Sequence, residues 1–126
     1  MLTLALLAGL WSSNCTMTQT TTNQGFARDS YAIKKDGHFE QKRTWYVDPV
    51  CAVEREVESV TGTLELGKKI SGIFVTAETY EANFSDAAGT DLGAITSNGK
   101  SLRLSRGMKN STMRNTMVGF IEFIKQ

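Results

Sequence analysis

The stretch His38–Cys51, HFEQKRTWYVDPVC, decides how this chain folds. Apolar and polar side chains alternate along it, which is the pattern of a half-buried β-strand. The strand is expected to end at Asp48-Pro49, because proline cannot donate a backbone hydrogen bond to a neighbouring strand. The chain then reaches Cys51, and Cys15 is the one other cysteine. The sequence therefore predicts a strand, His38–Val47, that leads into a cysteine with a single possible partner.

A second strand precedes this one. Residues Phe26–Lys35 alternate in the same way, and Asp36-Gly37 follows them. Asp-Gly between two alternating segments is among the strongest short-range signals for a β-hairpin. We therefore predict that these two strands pair as a hairpin.

The rest of the chain reads as further strands joined by short turns. The predicted strands are Val53–Leu66, Ile70–Phe84, a short Leu92–Ile95 inside the loop-like Ser85–Asn98, Ser101–Ser105 and Met117–Ile124. Turns are predicted at Gly67-Lys68-Lys69 and Asn98-Gly99, a bulge or bend at Gly62, and a solvated connector at Thr16–Gln24. Such a meander must hide its edge strands. The predicted fold class is all-β: an antiparallel up-and-down meander that closes into a barrel or half-barrel.

Length and charge limit the class of protein. A chain of 126 residues with a net charge of +1 fits one domain and lacks the basic excess of a nucleic-acid-binding protein. Residues 48–91 carry nine acids and three bases, whereas residues 98–126 carry six bases and one acid. We expect these segments to pair across the sheet. The alternative is an anion-binding face on the C-terminal strands.

The first ten residues, MLTLALLAGL, form a short apolar run. Ten residues cannot span a bilayer as a helix, which needs about 20. Residues 1–8 are interpreted as the remnant of a secretory signal or as a first strand, and residues 9–126 as a single domain. A third interpretation makes Cys15 the lipid-modified cysteine of a lipoprotein, although Asn14 is a poor residue before such a cysteine.

Two cysteines after a signal-like start favour one disulfide and an oxidising compartment, periplasmic or extracellular. A bond between them would close a loop of about 37 residues, which stabilises a fold by roughly 4 kcal/mol in the chain-entropy model. The alternative is two buried free thiols, as a cytosolic protein would have.

Two short motifs carry a resemblance. The first is GLWSSNC, with Gly9, Trp11, Ser13 and Cys15 at alternate positions, and the second is YVDPVC, with Tyr46, Asp48 and Cys51. Together they resemble a lipocalin-like module of small secreted bacterial proteins. They are also similar to the repeated extracellular domain of the animal Wnt antagonist named for its down-regulation by the adenomatosis polyposis coli protein.

The resemblance covers residues 9–66 well and the remainder loosely. It implies a lipocalin-like barrel, with Trp11 packed at the closed end and Cys15 bonded to Cys51. In the animal relative the cavity is thought to accept a lipid chain. No ligand motif of this chain allows that property to be carried over residue by residue.

Aromatic residues are the candidates for contact with a ligand. The candidates are Tyr31, Phe39, Trp45, Phe74, Tyr80 and Phe120. Apolar side chains of this kind usually line small-molecule cavities. The alternative is that the barrel is filled by its own side chains, as small barrels are.

No catalytic, metal-binding or cofactor-binding pattern is present. His38 is the single histidine and lies beside the predicted turn, where a solvated side chain is expected. Glu54, Glu56 and Glu58 stand at alternate positions, so we expect them on one face of a strand. The prediction is an exported, non-enzymatic domain that binds an apolar small molecule or lipid at the barrel mouth. The alternative is a solid-core structural or inhibitory module that binds an envelope protein.

Overall fold

The chain folds into a closed β-barrel. The computed structural model describes residues 2–72, 78–119 and 121–126. The elements are α1 (Leu4–Leu7), β1 (Gly9–Ser12), β2 (Thr16–Gln19), β3 (Gln24–Ile33), β4 (His38–Tyr46), β5 (Glu54–Lys69), β6 (Tyr80–Asp86), β7 (Gly89–Ser97), β8 (Ser101–Ser105) and β9 (Phe123–Lys125). Eight strands pair antiparallel in the order β1-β9-β8-β7-β6-β5-β4-β3, and β3 returns to β1. The predicted all-β antiparallel barrel is confirmed.

The predicted hairpin is β3–β4, and its turn differs in detail from the prediction. The Gly37 N–H donates to the Lys34 carbonyl oxygen at 3.0 Å, so Lys35 and Asp36 are the two central residues of the turn. Gly37 follows with a φ of +95°, which glycine adopts without steric cost. This is a three-residue hairpin loop closed by a glycine bulge, the next commonest type after the two-residue loop that was predicted.

Strand β5 is longer than predicted. It continues through the predicted turn at Gly67-Lys68-Lys69, and Lys69 pairs with Tyr80 beyond a register shift. Gly67 serves a close approach, because a Cβ there would lie 2.7 Å from Glu81 Oε1. The predicted strand Ile70–Phe84 is wrong at its start: β6 begins at Tyr80, and residues 70–72 and 78–79 are not in a strand. Residues 73–77 of that prediction lie outside the described residues.

The predicted loop Ser85–Asn98 is wrong except for the short strand predicted inside it, because Leu92–Ile95 lies within β7. Strand β6 runs to Asp86, and β7 takes up Gly89–Ser97. The small residues that suggested a loop allow backbones to approach closely, because a Cβ at Gly93 would collide with the Ser105 carbonyl oxygen. The predicted turn that follows, Asn98-Gly99, does join β7 to β8, and Gly99 has a φ of +89°.

Gly62 is not a bulge. Register shifts occur at Trp45/Tyr46 and at Leu66/Lys69, whereas pairing on both sides of Gly62 is regular. A Cβ at Gly62 would collide with a carbonyl oxygen of β6 and lie 2.9 Å from Phe39 Cζ. The glycine is therefore needed for close packing.

The two ends of the chain depart from the predicted strands. Leu4–Leu7 is one helical turn rather than a first strand, and Thr3 Oγ1 accepts the Leu6 N–H at 3.3 Å. The signal-remnant interpretation stays a prediction. Of the predicted strand Met117–Ile124, residues 117–119 and 121–122 are not in a strand, and β9 covers Phe123–Lys125. Met117 and Ile121 are exposed, so the apolar content of this segment does not reflect pairing.

The predicted connector Thr16–Gln24 contains β2. Strands β1 and β2 pair with successive lengths of β3, and residues 13–15 separate them. The side chains of β2 are mostly exposed, which explains why no apolar alternation marks this strand in the sequence.

Candidate functional site

The end of the barrel nearest α1 is filled with apolar side chains. The cluster of buried residues comprises Leu7, Trp11, Tyr31, Ile33, Phe39, Leu64, Tyr80, Ala82, Phe84, Ile95, Leu102 and Phe123. Three of the predicted ligand-lining residues, Tyr31, Phe39 and Tyr80, belong to this cluster. The ring of Tyr31 lies 6.0 Å from that of Phe39 and 5.3 Å from that of Phe123. Their contact with a ligand stays a prediction, and Phe74 and Phe120 lie outside the described residues.

Trp45 lies at the opposite, polar end of the barrel. Its side chain is fully buried, and its Nε1–H donates to Glu58 Oε1 at 3.0 Å. Two guanidinium groups flank its ring, those of Arg43 and Arg55, at 5.8 Å and 5.5 Å from the ring centre. Arg43 also binds Asp29 through two hydrogen bonds of 2.7 and 3.0 Å. The aromatic residue predicted to line an apolar mouth is therefore enclosed by charged groups.

Arg106 enters the lumen from beyond β8. Its guanidinium donates to Asp91 Oδ2 at 2.8 Å, to Gln41 Oε1 at 2.7 Å and to Asp86 Oδ2 at 3.2 Å. The same group lies 5.0 Å from the ring centre of Phe84, and its side chain is 16% exposed. Arg106 thus joins the apolar cluster to the polar end of the barrel. No pattern in the sequence around it, Ser105-Arg106-Gly107, predicts an inward-facing arginine.

Lys109 completes this charged network. Its Nζ lies 2.9 Å from Asp86 Oδ2 and 2.9 Å from Asp91 Oδ1. The hydrogen bond from Lys109 holds the pKa of Asp86 below its usual value, against the opposing effect of burial. Arg114 also pairs with Glu81 at 3.5 Å. Acids of segment 48–91 and bases of segment 98–126 thus form ion pairs, but these bases lie in the irregular stretch after β8 and not in a strand that pairs across the sheet.

The three glutamates of β5 do not share one face. Trp45 pairs with Glu56 and Tyr46 with Glu54, because a register shift lies between them. Glu56 and Glu58 therefore lie on the face of Trp45, and Glu54 lies on the other. The nearby positive charges are Arg43 and Arg55, and Arg55 lies 3.2 Å from Glu56. Among the described residues, the basic segment 98–126, which we expected to pair with the acidic segment, forms no ion pair with these glutamates.

The first half of β5 extends beyond its neighbour β6. Residues 54 and 56–61 pair with β4, Arg55 is the extra residue at the register shift, and the pairing with β6 starts at Gly62. We call residues 54–61 the β5 overhang. All eight of its residues are exposed. At about 3.3 Å per residue the overhang presents about 26 Å of strand that, among the described residues, is paired on one side only.

The direction of the backbone groups in the overhang follows from one hydrogen bond. The Leu64 N–H donates to the Gly37 carbonyl oxygen at 2.7 Å, which is on the β4 side of β5. Backbone groups of successive residues alternate between the two sides of a strand, and the register is regular from here to Val57. The N–H and C=O groups of Val57, Ser59 and Thr61 therefore face the free side.

A groove runs over the outer wall of the barrel. A depression of about 660 Å³ over β3, β4 and β5 is lined by small residues such as Gly9, Ala32 and Thr61. His38 lies at its rim, with Nδ1 3.0 Å from Asp36 Oδ2, and is exposed as predicted. A second depression of about 320 Å³ shares Ala32 and Glu40 with the first and extends over β1.

The residues of the two sequence motifs shape the loops around the disulfide. The Asp48 carboxylate accepts the N–H groups of Ala52 and Val53, which lowers its pKa. This arrangement presents Cys51 at a φ of +54°, and Cys51 is bonded to Cys15 over a Cα–Cα distance of 5.8 Å. The predicted disulfide is confirmed.

The first motif fixes the start of the barrel. Ser13 Oγ accepts the Asp29 N–H at 2.9 Å, and the Ser13 N–H donates to the Asp29 carbonyl oxygen at 2.8 Å. Trp11 is fully buried, and its Nε1–H donates to the Leu7 carbonyl oxygen at 2.8 Å, which ties α1 over the end of the lumen. Gly9 pairs with Ile33 where β1 begins. Tyr46, from the second motif, lines the smaller outer depression.

Comparison of the chain with family profiles, with curated proteins and with solved structures finds no match. Among the described residues, no group of three or more His, Cys, Asp and Glu side chains could hold a metal ion. In the same part of the chain, no helix has the length and apolar character needed to cross a bilayer.

Proposed function

We propose that the protein is an exported, non-enzymatic binding domain whose partner is another protein, docked as an added strand on the free side of the β5 overhang. The observation that carries this proposal is a length of eight exposed residues, 54–61, that within the described part of the chain pairs with β4 alone. Addition of a strand to an exposed sheet edge is a recurring mode of peptide recognition. The Cys15–Cys51 disulfide supports an oxidising, extracytoplasmic compartment.

The interior supports a surface function. One end of the lumen is occupied by the apolar cluster, and Arg106 and its partners occupy the other. Both sets of side chains are engaged with one another. A partner bound on the outer edge of β5 needs no rearrangement of either set.

The side chains of the overhang indicate what the partner carries. Glu56, Glu58 and Val60 lie on its inner face, and Val57 and Ser59 on its outer face. Opposite charges directly across a strand pair stabilise it, whereas like charges destabilise it. We therefore expect an extended segment with basic side chains opposite the two glutamates and an apolar one opposite Val60.

A second copy of this chain fits the edge less well. An antiparallel self-pairing centred on Val57 sets Glu56 opposite Glu58, and one centred on Glu58 sets that carboxylate opposite itself. These are the registers in which the two overhangs overlap most. The acidic edge therefore favours a different, basic partner.

The test uses a photo-crosslinking amino acid at position 61, with the same group at Arg103 as the control. Arg103 is an exposed residue of β8. In the native host, we expect the group at position 61 to crosslink to a partner protein and the group at position 103 not to do so. Ser59→Pro should abolish the crosslink, because the proline removes an N–H that faces the free side and breaks no bond to β4. The captured segment, made as a peptide, should then slow amide exchange at Val57, Ser59 and Thr61.

Equal crosslinking from position 103 would refute the proposal, as would a crosslink that survives Ser59→Pro. Ser59→Thr is the matched variant that keeps the N–H, and it should crosslink like the native chain. Glu58→Pro should instead lower stability, because its N–H faces β4.

Binding of an apolar small molecule is a second candidate. The depression of about 660 Å³ over Ala32 is mostly apolar and has the size of a small-molecule site. Native mass spectrometry of protein taken from its host tests this candidate. An added mass that is lost on denaturation, and reduced by Ala32→Glu, would support it, whereas a bare chain mass would count against it.

A further inference from the structure

The smaller outer depression contains an arginine that has no anionic partner among the described residues. Arg28 lies on the outer face of β3, where it pairs with Thr44 of β4. Its Nε is buried from solvent and has no hydrogen-bond partner within the described residues. In the same part of the chain, no ion pair involves this side chain. Leaving a buried donor of a charged group without an acceptor is costly. Arg28 as a whole is only partly buried and lines the depression, so a group that supplies acceptors can reach its guanidinium group from there.

Several of the residues that line the depression with Arg28 carry hydrogen-bond donors. The hydroxyl groups of Ser12, Ser30 and Thr44 line the same depression of about 320 Å³, together with the ammonium group of Lys42. The strand register brings these side chains together, because Ser30 pairs with both Ser12 and Lys42. Directly paired residues of antiparallel strands have Cβ atoms about 4.5–5.5 Å apart.

Among the described residues, Glu40 is the one side-chain carboxylate that lines the depression, and it leaves Lys42 available. Glu40 lies 3.5 Å from Lys42 Nζ, and both side chains are nearly half exposed. Exposed pairs of this kind contribute little to stability, so a ligand can replace this contact at little cost. Arg28 and Lys42 together carry two positive charges against the single negative charge of Glu40.

We propose that this depression binds a small oxyanion, a carboxylate or a phosphate group, with Arg28 as its principal contact. The planar guanidinium group offers several N–H donors in a geometry that matches both kinds of oxyanion. Lys42 adds a second positive charge, and the hydroxyl groups supply neutral donors. The site is separate from the β5 overhang, so it stands or falls independently of strand addition.

The test is titration of the isotope-labelled protein with sodium phosphate and, separately, sodium acetate, against sodium chloride at the same ionic strength. The expected result is a saturable change in the amide NMR chemical shifts, centred on Ser12, Ser30 and Thr44. Arg28→Gln should weaken the affinity at least about tenfold, the loss expected for one charge-assisted hydrogen bond. The affinity of Arg28→Lys should lie between those of the native chain and Arg28→Gln, because lysine keeps the positive charge and loses the planar set of donors. Binding of phosphate alone, or of acetate alone, would support the site and identify the kind of oxyanion.

Two results would overturn the proposal. One is the absence of any saturable shift with either anion beyond that seen with chloride. The other is an affinity unchanged by Arg28→Gln, or weakened equally by Arg103→Gln on β8, which would indicate a general effect of charge. If Arg28→Gln fails to fold, the comparison of the native chain with Arg28→Lys still decides, since equal affinity of these two would contradict the role of the guanidinium group.

Discussion

Removal of the disulfide should cost this barrel about 4 kcal/mol of unfolding free energy. Cys15 and Cys51 are 36 positions apart, so the bond closes a loop of about 37 residues, and the chain-entropy relation gives that magnitude. The unfolding entropy of a chain of 126 residues is about 260 cal/mol/K, from about 2.1 cal/mol/K per residue. The double variant Cys15→Ser/Cys51→Ser should therefore melt about 15 °C below the native chain.

The backbone at Cys51 supplies a matched variant. Its φ of +54° lies in the left-handed region, which costs a residue other than glycine about 1–2 kcal/mol. Cys15→Ser/Cys51→Gly should thus be about 1 kcal/mol more stable than the double serine variant. Urea unfolding followed by tryptophan fluorescence measures both differences, since Trp11 and Trp45 are both fully buried. A double serine variant whose unfolding free energy is within about 1 kcal/mol of the native value would refute the loop-closure argument for the disulfide. A glycine variant less stable than the serine variant would refute the argument from the backbone conformation at Cys51.

Three further outcomes are expected from the interior of the barrel. Arg106→Ala should lower the unfolding free energy by about 3–5 kcal/mol, because two carboxylates lose a largely buried partner. In the same urea assay, the control Arg103→Ala, at an exposed position, should lower it by less than about 1 kcal/mol. The pKa of Asp86 is lowered by its hydrogen bond from Lys109, so this carboxylate stabilises the fold above pH about 4, and the contribution is lost as the pH falls through the lowered pKa. Urea unfolding at a series of pH values should therefore show less acid dependence for Asp86→Asn than for the native chain. Gly62→Ala should cost about 1–3 kcal/mol by overpacking against β6 and Phe39, and an unchanged melting temperature would contradict the close approach described there.

Much of the fold could be predicted from local patterns. The β3–β4 hairpin follows from apolar alternation on both sides of Asp36-Gly37, and the disulfide follows from the number of cysteines together with the resemblance. Only the centre of β7, Leu92–Ile95, could be predicted in this way. Its glycine and other small residues also occur in loops. They are required here because backbone that is distant in the sequence packs against them, as the Ser105 carbonyl group does against Gly93.

The polar end of the barrel depends on contacts that no local pattern reveals. Arg106 comes from an irregular segment and meets Gln41, 65 positions away along the chain. One register shift beside Trp45 moves Glu54 to the opposite face from Glu56 and Glu58. Strand alternation predicts faces correctly only while the register is unbroken, so the charge pattern of a mouth with a bulge has to be read from the structure.

The acidic side chains of the overhang bear on whether its free edge is functional. An unpaired edge risks pairing with any extended chain, and proteins often limit that risk with charged side chains and bulges. Both are present here: Glu56 and Glu58 lie along the edge, and a bulge lies where it starts. A purely protected edge has no use for the exposed Val57 and Val60, which are 47% and 44% exposed on opposite faces. Their presence favours selective addition of a basic strand. Ser59→Pro distinguishes an edge that binds a partner from one that is only protected against pairing. If the edge binds, the variant should lose a specific partner; if the edge is only protected, nothing but the solubility of the protein should change.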